Sequence, residues 1–349
     1  MAFVKNTWYV AMWSQDLGSQ PKGCTILGEP IVLFRDNENK VAALDDRCPH
    51  RQAPLHMGKV CENGTLQCGY HGLRFDSKGI CVANPHGSGS IPKAMQAKSY
   101  PIQERHSLIW IWMGEREPVF SAIPDLSMLD EARPEHVTRR DHLRMNANYE
   151  LVVNNLLDLS HVAFLHKGVL GNEDATAAEV KVLQKGDHVT ASRWMKDVSV
   201  PGLLDMLFKR DGANIDMWAD ITWIPPSNLL NNTGATSVGA SRDDGSGIIG
   251  LHLLTPETER STLYHFAAVR TNPRHFPPDV ERQIMDDLSD LRRKAFTQED
   301  LPMIEAQQRL VDLDGGREPI LLEVDGGAAR MKRVLQQKLR EDVEVAATV

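Results

Sequence analysis

The stretch CPHRQAPLHMGKVCENGTLQCGYHG, residues 48–72, constrains this chain more than any other segment. It places Cys48-x-His50 ahead of Cys68-x-x-His71, with seventeen residues between the inner two. Glycines and prolines around both pairs favour sharp turns, which would bring the four side chains to one point. Thiol and imidazole groups in this pattern indicate a metal site carried on two loops.

Zinc is the first alternative, since two cysteines and two histidines form a legitimate structural zinc set. Zinc fingers of this composition usually put both cysteines on one arm and both histidines on the other, whereas each arm here has one of each. A mixed arm suits a Rieske [2Fe–2S] cluster, in which two cysteines bind one iron and two histidines the other. Such a cluster is formally neutral when oxidised, and it therefore accepts an electron more readily than a four-cysteine cluster.

The motif C-x-H-x₁₇-C-x-x-H resembles that of the Rieske non-haem iron oxygenases. The flanking segments NTWYV, CPHRQAPL, CGYHGLRFD and YPIQERHSLIWIWMGE are similar to the branch that includes vanillate and dicamba O-demethylases and toluenesulfonate methyl-monooxygenases. The likeness runs through most of the chain. It implies two cofactors, a [2Fe–2S] cluster on Cys48, His50, Cys68 and His71 and a mononuclear Fe(II).

The element pattern predicts an α+β protein in two parts. The first third reads as short strands and turns, including a hairpin around residues 37–39, and is typical of an all-β Rieske domain at 1–115. A stretch rich in proline and acid predicts a connector at 116–140. The remainder mixes strands with long helical stretches, which predicts a catalytic domain at 141–349 with an antiparallel sheet flanked by helices.

The net charge and the composition of the chain limit the classes of partner that it can bind. The net charge of −8 and the lack of a basic run argue against nucleic acid and against a membrane surface. No stretch reaches about eighteen apolar residues, and the N-terminus has no signal-peptide pattern. Beyond the motif, an odd number of cysteines remains, Cys24, Cys61 and Cys81, which does not suggest a disulfide framework. We therefore expect a cytoplasmic protein.

A second polar constellation occurs in ANYELVVNNLLDLSHVAFLHKG, residues 147–168. We interpret it as one apolar helix, on which Asp158 and His161 lie about 60° apart on a polar stripe shared with Asn155. His161 and His166 would lie about 140° apart, so they can share a metal only if the helix breaks or bulges between them. The alternative is a buried core helix that ends near His166.

Two histidines and one carboxylate form the facial triad of non-haem Fe(II) oxygenases. The resemblance implies that His161 and His166 are the histidine ligands and that Asp300, in FTQEDLPMIEAQQ, is the carboxylate. Spacing alone leaves Glu299 and Glu305 open as alternatives, and all three acids are more often ordinary solvated helix residues.

The resemblance also implies a catalytic role for Asp158. The matching aspartate of the family bridges a cluster histidine, here His71, and an iron histidine, here His161, across the subunits of a homotrimer. A carboxylate that accepts from both imidazoles would fix their tautomers and shorten the path of the electron. Asn155, one helical turn earlier, is a second catalytic candidate, although it could equally cap a neighbouring element.

Substrate contacts are predicted at Asn231 and His252, which align with substrate-contact positions of the dicamba demethylase type. Arg270 and Arg293 are further donors for an anion. We expect a terminal oxygenase that uses O2 and electrons from an NAD(P)H-dependent flavin or ferredoxin reductase to oxidise the methoxy group of a small aromatic acid. Hydroxylation of an aryl methyl group, N-demethylation, and a Rieske electron carrier without oxygenase activity are the alternatives. The carrier would not need residues 140–349.

Overall fold

The computed structural model describes residues 3–171, 173–176, 178–315, 317 and 319–346. The chain forms two compact units. One unit runs to Leu126 and includes Thr255–Glu259, and the other begins at Ser127, runs to Leu254 and resumes at Arg260. The domain bounds 1–115, 116–140 and 141–349 stay a prediction. Within the described ranges, no helix is both long enough and apolar enough to cross a membrane.

The first unit is built from short strands that form three sheets, in the orders β1-β11-β10, β2-β3-β4-β9 and β5-β6-β7-β8. The pair β3 and β4 is the hairpin predicted around residues 37–39. The strands are β1 Thr7–Trp13, β2 Lys22–Ile26, β3 Glu29–Arg35, β4 Val41–Asp45, β5 Lys59–Val60, β6 Leu66–Gln67, β7 Arg74–Phe75, β8 Cys81–Ala83, β9 Ser99–Tyr100, β10 Ile102–Arg105 and β11 Leu108–Met113.

Strand β3 divides the core of this unit into two apolar clusters. Because side chains alternate along a strand, Ile31 and Leu33 pack into one cluster, and Val32 and Phe34 pack into the other. The second cluster also contains both cysteines of the sequence motif. The loops that carry the motif are therefore anchored by the same apolar packing that holds the sheets together.

The second unit contains a seven-stranded sheet in the order β12-β18-β17-β16-β15-β14-β13. Its strands are β12 Asp141–Met145, β13 Lys181–Lys185, β14 His188–Val198, β15 Ile215–Ile224, β16 Asn228–Ser237, β17 Ser246–Thr258 and β18 Ser261–Thr271. Its helices are α1 Met128–Glu131, α2 Tyr149–Leu157, α3 Gly202–Leu207, α4 Pro278–Lys294, α5 Leu301–Leu313 and α6 Gly326–Ala346. The predicted α+β class is confirmed.

The sheet presents one face to a cavity. Along β15, Met217, Ala219 and Ile221 point to the cavity side. Trp218 points to the opposite face, where its ring stacks on Trp194 with centroids 5.9 Å apart. The two-residue period of the strand thus separates the side chains that line the cavity from those on the outer face.

One segment of the helical layer is not regular α-helix. The chain is helical through residues 278–313, but a π-helical segment, Ala295–Asp300, joins α4 to α5. Pro302 lies two residues beyond this segment and has no N–H to donate to the carbonyl of residue 298, which disfavours regular α-helical bonding there. The π segment carries Glu299 and Asp300, two of the three acids considered from sequence as metal ligands.

The turn between β7 and β8 is tightly packed around Gly79. Its φ is +79°, and an added Cβ would clash with the carbonyl oxygen of Ala97. Gly28 has the same backbone conformation, φ +80°, with open space around it. We expect Gly28→Ala to cost about 1 kcal/mol for the left-handed backbone, and Gly79→Ala roughly 2–4 kcal/mol, since it adds a steric clash. Thermal midpoints followed by circular dichroism would show this difference, and equal losses would contradict it.

Candidate functional site

The two cysteine-containing loops have the same backbone pattern. In each loop the cysteine N–H donates to the carbonyl five residues later, and the cysteine carbonyl accepts from the N–H four residues later, with distances of 2.8 to 3.0 Å. The residue in that fourth position is left-handed in both loops, with φ +56° at Gln52 and +72° at Gly72. Loops 48–53 and 68–73 therefore present their cysteines and histidines in matching ways.

The side chains of the motif form two close pairs, Cys48 with Cys68 and His50 with His71. Cys48 and Cys68 are free and only 2% and 1% exposed. Burial raises the pKa of the Cys48 thiol to about 11, with Cys68 adding to the rise, while the backbone N–H groups of His50 and Arg51 donate to its sulfur and oppose it. The rings of His50 and His71 are nearer the surface, with centroids 4.6 Å apart. Two buried thiols beside two outer imidazoles fit a Rieske cluster.

The helix that leads to the second constellation ends earlier than predicted. Helix α2 ends at Leu157, so the single helix predicted over residues 147–168 is wrong. Asp158 leaves the helical conformation, and its Oδ1 accepts hydrogen bonds from the backbone N–H and the hydroxyl of Ser160, at 2.7 and 2.6 Å. This local bond competes with helix continuation. His161 then lies in a short 3₁₀ turn, which removes the 140° separation from His166.

Hydrogen bonds fix both histidine rings in the same tautomer. Nδ1 of His161 lies 2.8 Å from the backbone oxygen of Asp158, and Nδ1 of His166 lies 2.6 Å from Oε2 of Glu299. Because an oxygen of either kind can only accept, each Nδ1 carries the proton, and the Nε2 lone pair is left available for a metal. Carbonyl and carboxylate groups commonly orient metal-binding histidines in this way.

The free nitrogens converge on Asp300. Its Oδ1 lies 3.2 Å from Nε2 of His166 and 3.8 Å from Nε2 of His161. The candidate ligand atoms of the three residues all lie within 4.8 Å of one another. Burial opposes protonation of His166, but Asp300 and Glu299 outweigh it and raise the pKa of His166. The site therefore attracts a positive charge, and its donor set fits the two-histidine, one-carboxylate site of non-haem iron.

The structure distinguishes the three acids that spacing left open. Asp300 is 3% exposed and faces the Nε2 atoms, whereas Glu299 is bonded to the far side of the His166 ring. Glu305 accepts hydrogen bonds from Asn146 instead, at 2.8 and 2.9 Å. The geometry thus supports Asp300 as the ligand and gives Glu299 a positioning role that the sequence did not reveal.

Asp158 and Asn155 flank this centre. Oδ2 of Asp158 lies 3.6 Å from Nδ1 of His161. Burial would raise the pKa of Asp158, but His161 and Ser160 hold it below its usual value, so the carboxylate is ionised. Nδ2 of Asn155 donates to Oδ1 of Asp300 over 3.2 Å. Asn155 therefore contacts a candidate metal ligand and does not act as a cap for a neighbouring strand.

A cavity of about 100 Å³ adjoins the candidate ligands and includes both predicted substrate contacts, Asn231 and His252. Most of its wall is apolar. The lining residues are Asn155, Leu156, Asp158, Leu159, His161, Val162, His166, Leu170, Arg193, Leu203, Leu204, Met217, Ala219, Ile221, Asn231, Thr233, Ile248, His252, Arg292, Ala295, Phe296 and Asp300.

The arginines of this cavity are not those proposed from sequence. Arg270 pairs with Glu281, and Arg293 pairs with Asp141, so neither lines the cavity. Arg292 and Arg193 do line it. Arg193 donates to the backbone oxygen of Leu159 at 2.8 Å and so supports the turn between helix α2 and His161. The sequence carried no clear signal for Arg292, because in an ideal α-helix Arg293 lies about 20° from Asp300 and Arg292 about 80° from it.

Known protein families match both parts of the chain. Residues 7–101 match the Rieske [2Fe-2S] domain, and residues 145–341 match the vanillate O-demethylase oxygenase C-terminal domain. The dicamba O-demethylase oxygenase component of Stenotrophomonas maltophilia is 37% identical, over 97% of this chain and 98% of that protein. The vanillate O-demethylase oxygenase subunit of a Pseudomonas species is 32% identical, over 99% of this chain and 97% of that protein.

A solved structure extends the likeness to the fold. Dicamba monooxygenase with non-heme iron and dicamba is 34% identical and superimposes with a TM-score of 0.80, covering 99% of this chain and 100% of that chain. A Rieske domain followed by this catalytic domain defines the oxygenase component of a Rieske monooxygenase, an oxidoreductase that carries a [2Fe–2S] cluster and a mononuclear iron. The chain belongs to the vanillate O-demethylase oxygenase family. The resemblance read from the motif is confirmed.

Replacing the candidate carboxylate tests the second metal site. We expect Asp300→Ala to lower the iron content from about three to about two per chain, because the mononuclear iron loses its only carboxylate while the cluster keeps its own ligands. Iron and acid-labile sulfide assays, with the visible spectrum of the cluster, measure this change.

Two neighbouring acids supply the controls. Glu305→Gln should retain all the iron, since Glu305 bonds to Asn146. Glu299→Gln should keep the site but weaken Fe(II) binding by about 10–100-fold, because the orienting bond to His166 loses its negative charge. Loss of iron from Glu305→Gln but not from Asp300→Ala would contradict the assignment.

Proposed function

We propose that this chain is the terminal oxygenase that removes a methyl group from a methoxy-substituted aromatic acid. It would use O2 and electrons delivered by an NAD(P)H-dependent flavin or ferredoxin reductase. One observation carries the proposal: an apolar cavity holds the three candidate iron ligands and also contains polar groups suited to an acid, Asn231, His252 and Arg292. A cytoplasmic location is part of the proposal, and free cysteines suit it.

The site residues divide into two sets. Cys48, Cys68, His50 and His71 would hold the cluster. His161, His166 and Asp300 would hold the mononuclear iron, with the faces not occupied by protein open to O2. When bound, the cluster supplies stored electrons and the mononuclear iron supplies oxygen activation.

The protein's own groups bind and orient the substrate. Apolar side chains around the cavity exclude water and pack against an aromatic ring. Burial, and then the Arg292 guanidinium, lower the pKa of His252 well below its usual value, so this imidazole is neutral. Burial raises the pKa of Tyr264, whose hydroxyl contacts Nδ1 of His252. Tyr264 can thus donate to Nδ1, which leaves Nε2–H of His252 to donate to the acid.

Asp158 would connect the two centres. We infer that its carboxylate bridges His161 of its own subunit, whose Nδ1–H also donates to the Asp158 backbone oxygen, and His71 of a neighbour in a homotrimer. The ionised carboxylate near Nδ1 of His161 supports this role, and so does the partial exposure of His71. A carboxylate between two imidazoles holds both rings and shortens the path of the electron.

A panel of aromatic acids tests the reaction. With NADH and a compatible reductase, methoxy acids should release one formaldehyde per turnover, because oxidation of a methoxy C–H gives a hemiacetal that breaks down to a phenol. Methyl-substituted acids should give a benzylic alcohol if the alternative reaction applies. Turnover of N-methyl compounds together with no turnover of any aromatic acid would contradict the proposed substrate class and leave the oxygenase chemistry standing.

Asp158→Asn tests the electron path. The variant should keep its cluster and its mononuclear iron but slow turnover by roughly 10–100-fold, because an amide cannot accept from both imidazoles as a carboxylate does. Reduction of the cluster by the reductase should proceed at the normal rate, while oxidation of the reduced cluster in the presence of substrate and O2 should be slow. Normal turnover at normal iron content would remove Asp158 from the mechanism.

A further inference from the structure

Three side chains of different chemistry line the cavity from one face of the helical layer. Arg292, Phe296 and Asp300 all line it, and they follow one another at intervals of about one helical turn. The Arg292 guanidinium lies over the Phe296 ring, 5.2 Å from its centroid. A cation, an aromatic ring and a candidate iron ligand therefore occur in that order along one face.

Within the described ranges, Arg292 is a buried cation without a counterion. It is 5% exposed, and its hydrogen-bond partner among those residues is the backbone oxygen of Ala267, 3.1 Å from Nη2. Nε has no partner, and no carboxylate in the described part of the chain pairs with this guanidinium. Burial lowers the pKa of Arg292 to about 10, so the charge persists at neutral pH. An uncompensated buried charge is costly, and an anionic ligand would offset that cost.

The neighbouring arginines differ in this respect. Arg270 pairs with Glu281, and Arg293 pairs with Asp141. Both of their charges are already compensated within the protein. Arg292 is the buried arginine of helix α4 that lines the cavity. Among the described residues, no carboxylate compensates its charge there.

A glycine keeps the space beside this cation open. A Cβ at Gly250 would lie 2.9 Å from Nη1 of Arg292 and 3.2 Å from Nε2 of His252. The His252 nitrogen also has no hydrogen-bond partner among the described residues. Gly250 pairs with Asn231 across β16 and β17. Nη1 of Arg292 and the unpartnered Nε2 of His252 thus flank the bare backbone of one strand residue.

We propose that Arg292 binds the acid group of the substrate and makes the enzyme selective for aromatic compounds that carry a carboxylate or a sulfonate. The inference rests on the proposed function, since it concerns the substrate of the same cavity. The guanidinium supplies the charge and two N–H donors, and His252 supplies a neutral donor beside it. Phe296 lies between the acid site and the iron site, where it can pack against the ring of the substrate.

Direct binding measurements separate this role from a structural one. Dissociation constants are measured by calorimetry on the iron-loaded enzyme for a methoxybenzoate, a methoxybenzenesulfonate and the uncharged methoxybenzamide. Arg292→Gln should weaken binding of both anions by about ten- to a hundred-fold, because a hydrogen bond to a charged group is lost, and should change binding of the amide by less than about twofold. Arg292→Lys should restore part of the loss for the anions.

Arg293→Gln is the matched control, because it removes a charge from the same helix outside the cavity, and it should leave all three constants unchanged. Gly250→Ala is a second variant that keeps the arginine but fills the space beside it. It should weaken binding of the anions more than binding of the amide. This variant decides the question if Arg292→Gln does not fold. Equal losses for anions and amide, or no loss for the anions, would overturn the inference.

The outcomes also separate this inference from the proposed function. If the wild-type enzyme demethylates methoxybenzoate and Arg292→Gln binds it with unchanged affinity, the inference alone fails. If the wild-type enzyme neither binds nor oxidises any aromatic acid, both fail.

Discussion

Three hydrogen-bond acceptors face one another inside the second unit, and much of the local structure serves to hold them there. The Nε2 atoms of His161 and His166 and the carboxylate of Asp300 lie within 4.8 Å of one another. Lone pairs at such distances repel unless a proton on an imidazole or a metal cation lies between them. The same repulsion that makes the arrangement costly in the bare chain makes it a strong site for a divalent metal.

Two departures from regular helix produce this convergence. The bonds from Ser160 to Asp158 end helix α2 and release His161 from helical spacing. The π-helical segment then places adjacent acids, Glu299 and Asp300, on opposite edges of the His166 ring. The positions of the candidate metal ligands therefore depend on hydrogen bonds made by other residues, as is usual in metal sites.

The sequence predicted the parts of the site that depend on local pattern. The paired cysteine and histidine turns could be read directly, because their spacing is short and their chemistry is distinctive. The sheet and most helices followed from periodicity. The helix break at Asp158 was missed because apolar periodicity favoured continuation, although Asp-x-Ser is a known competitor of helix. The π segment left only Pro302 as a sequence signal.

Burial of individual charged residues could not be predicted in the same way. Arg292 and Arg293 are neighbours in a charged run, and sequence reasoning proposed Arg293 for the anion. The structure pairs Arg293 with Asp141 and buries Arg292 in the cavity wall. Which of two adjacent arginines faces the interior depends on how α4 packs against the sheet, and that is a tertiary property. The charge of the substrate can therefore be inferred from the structure but not from the sequence motif.

The most direct test of this account is an anomalous-difference map at the iron absorption edge, from crystals of the iron-loaded protein. We expect one iron peak at bonding distance from Nε2 of His161, Nε2 of His166 and the carboxylate of Asp300, with Glu299 bonded to Nδ1 of His166 and not to the metal. Two further iron sites should lie at the cysteine and histidine loops. A mononuclear iron bound by Glu299 or Glu305, or a peak away from the two histidines, would contradict it.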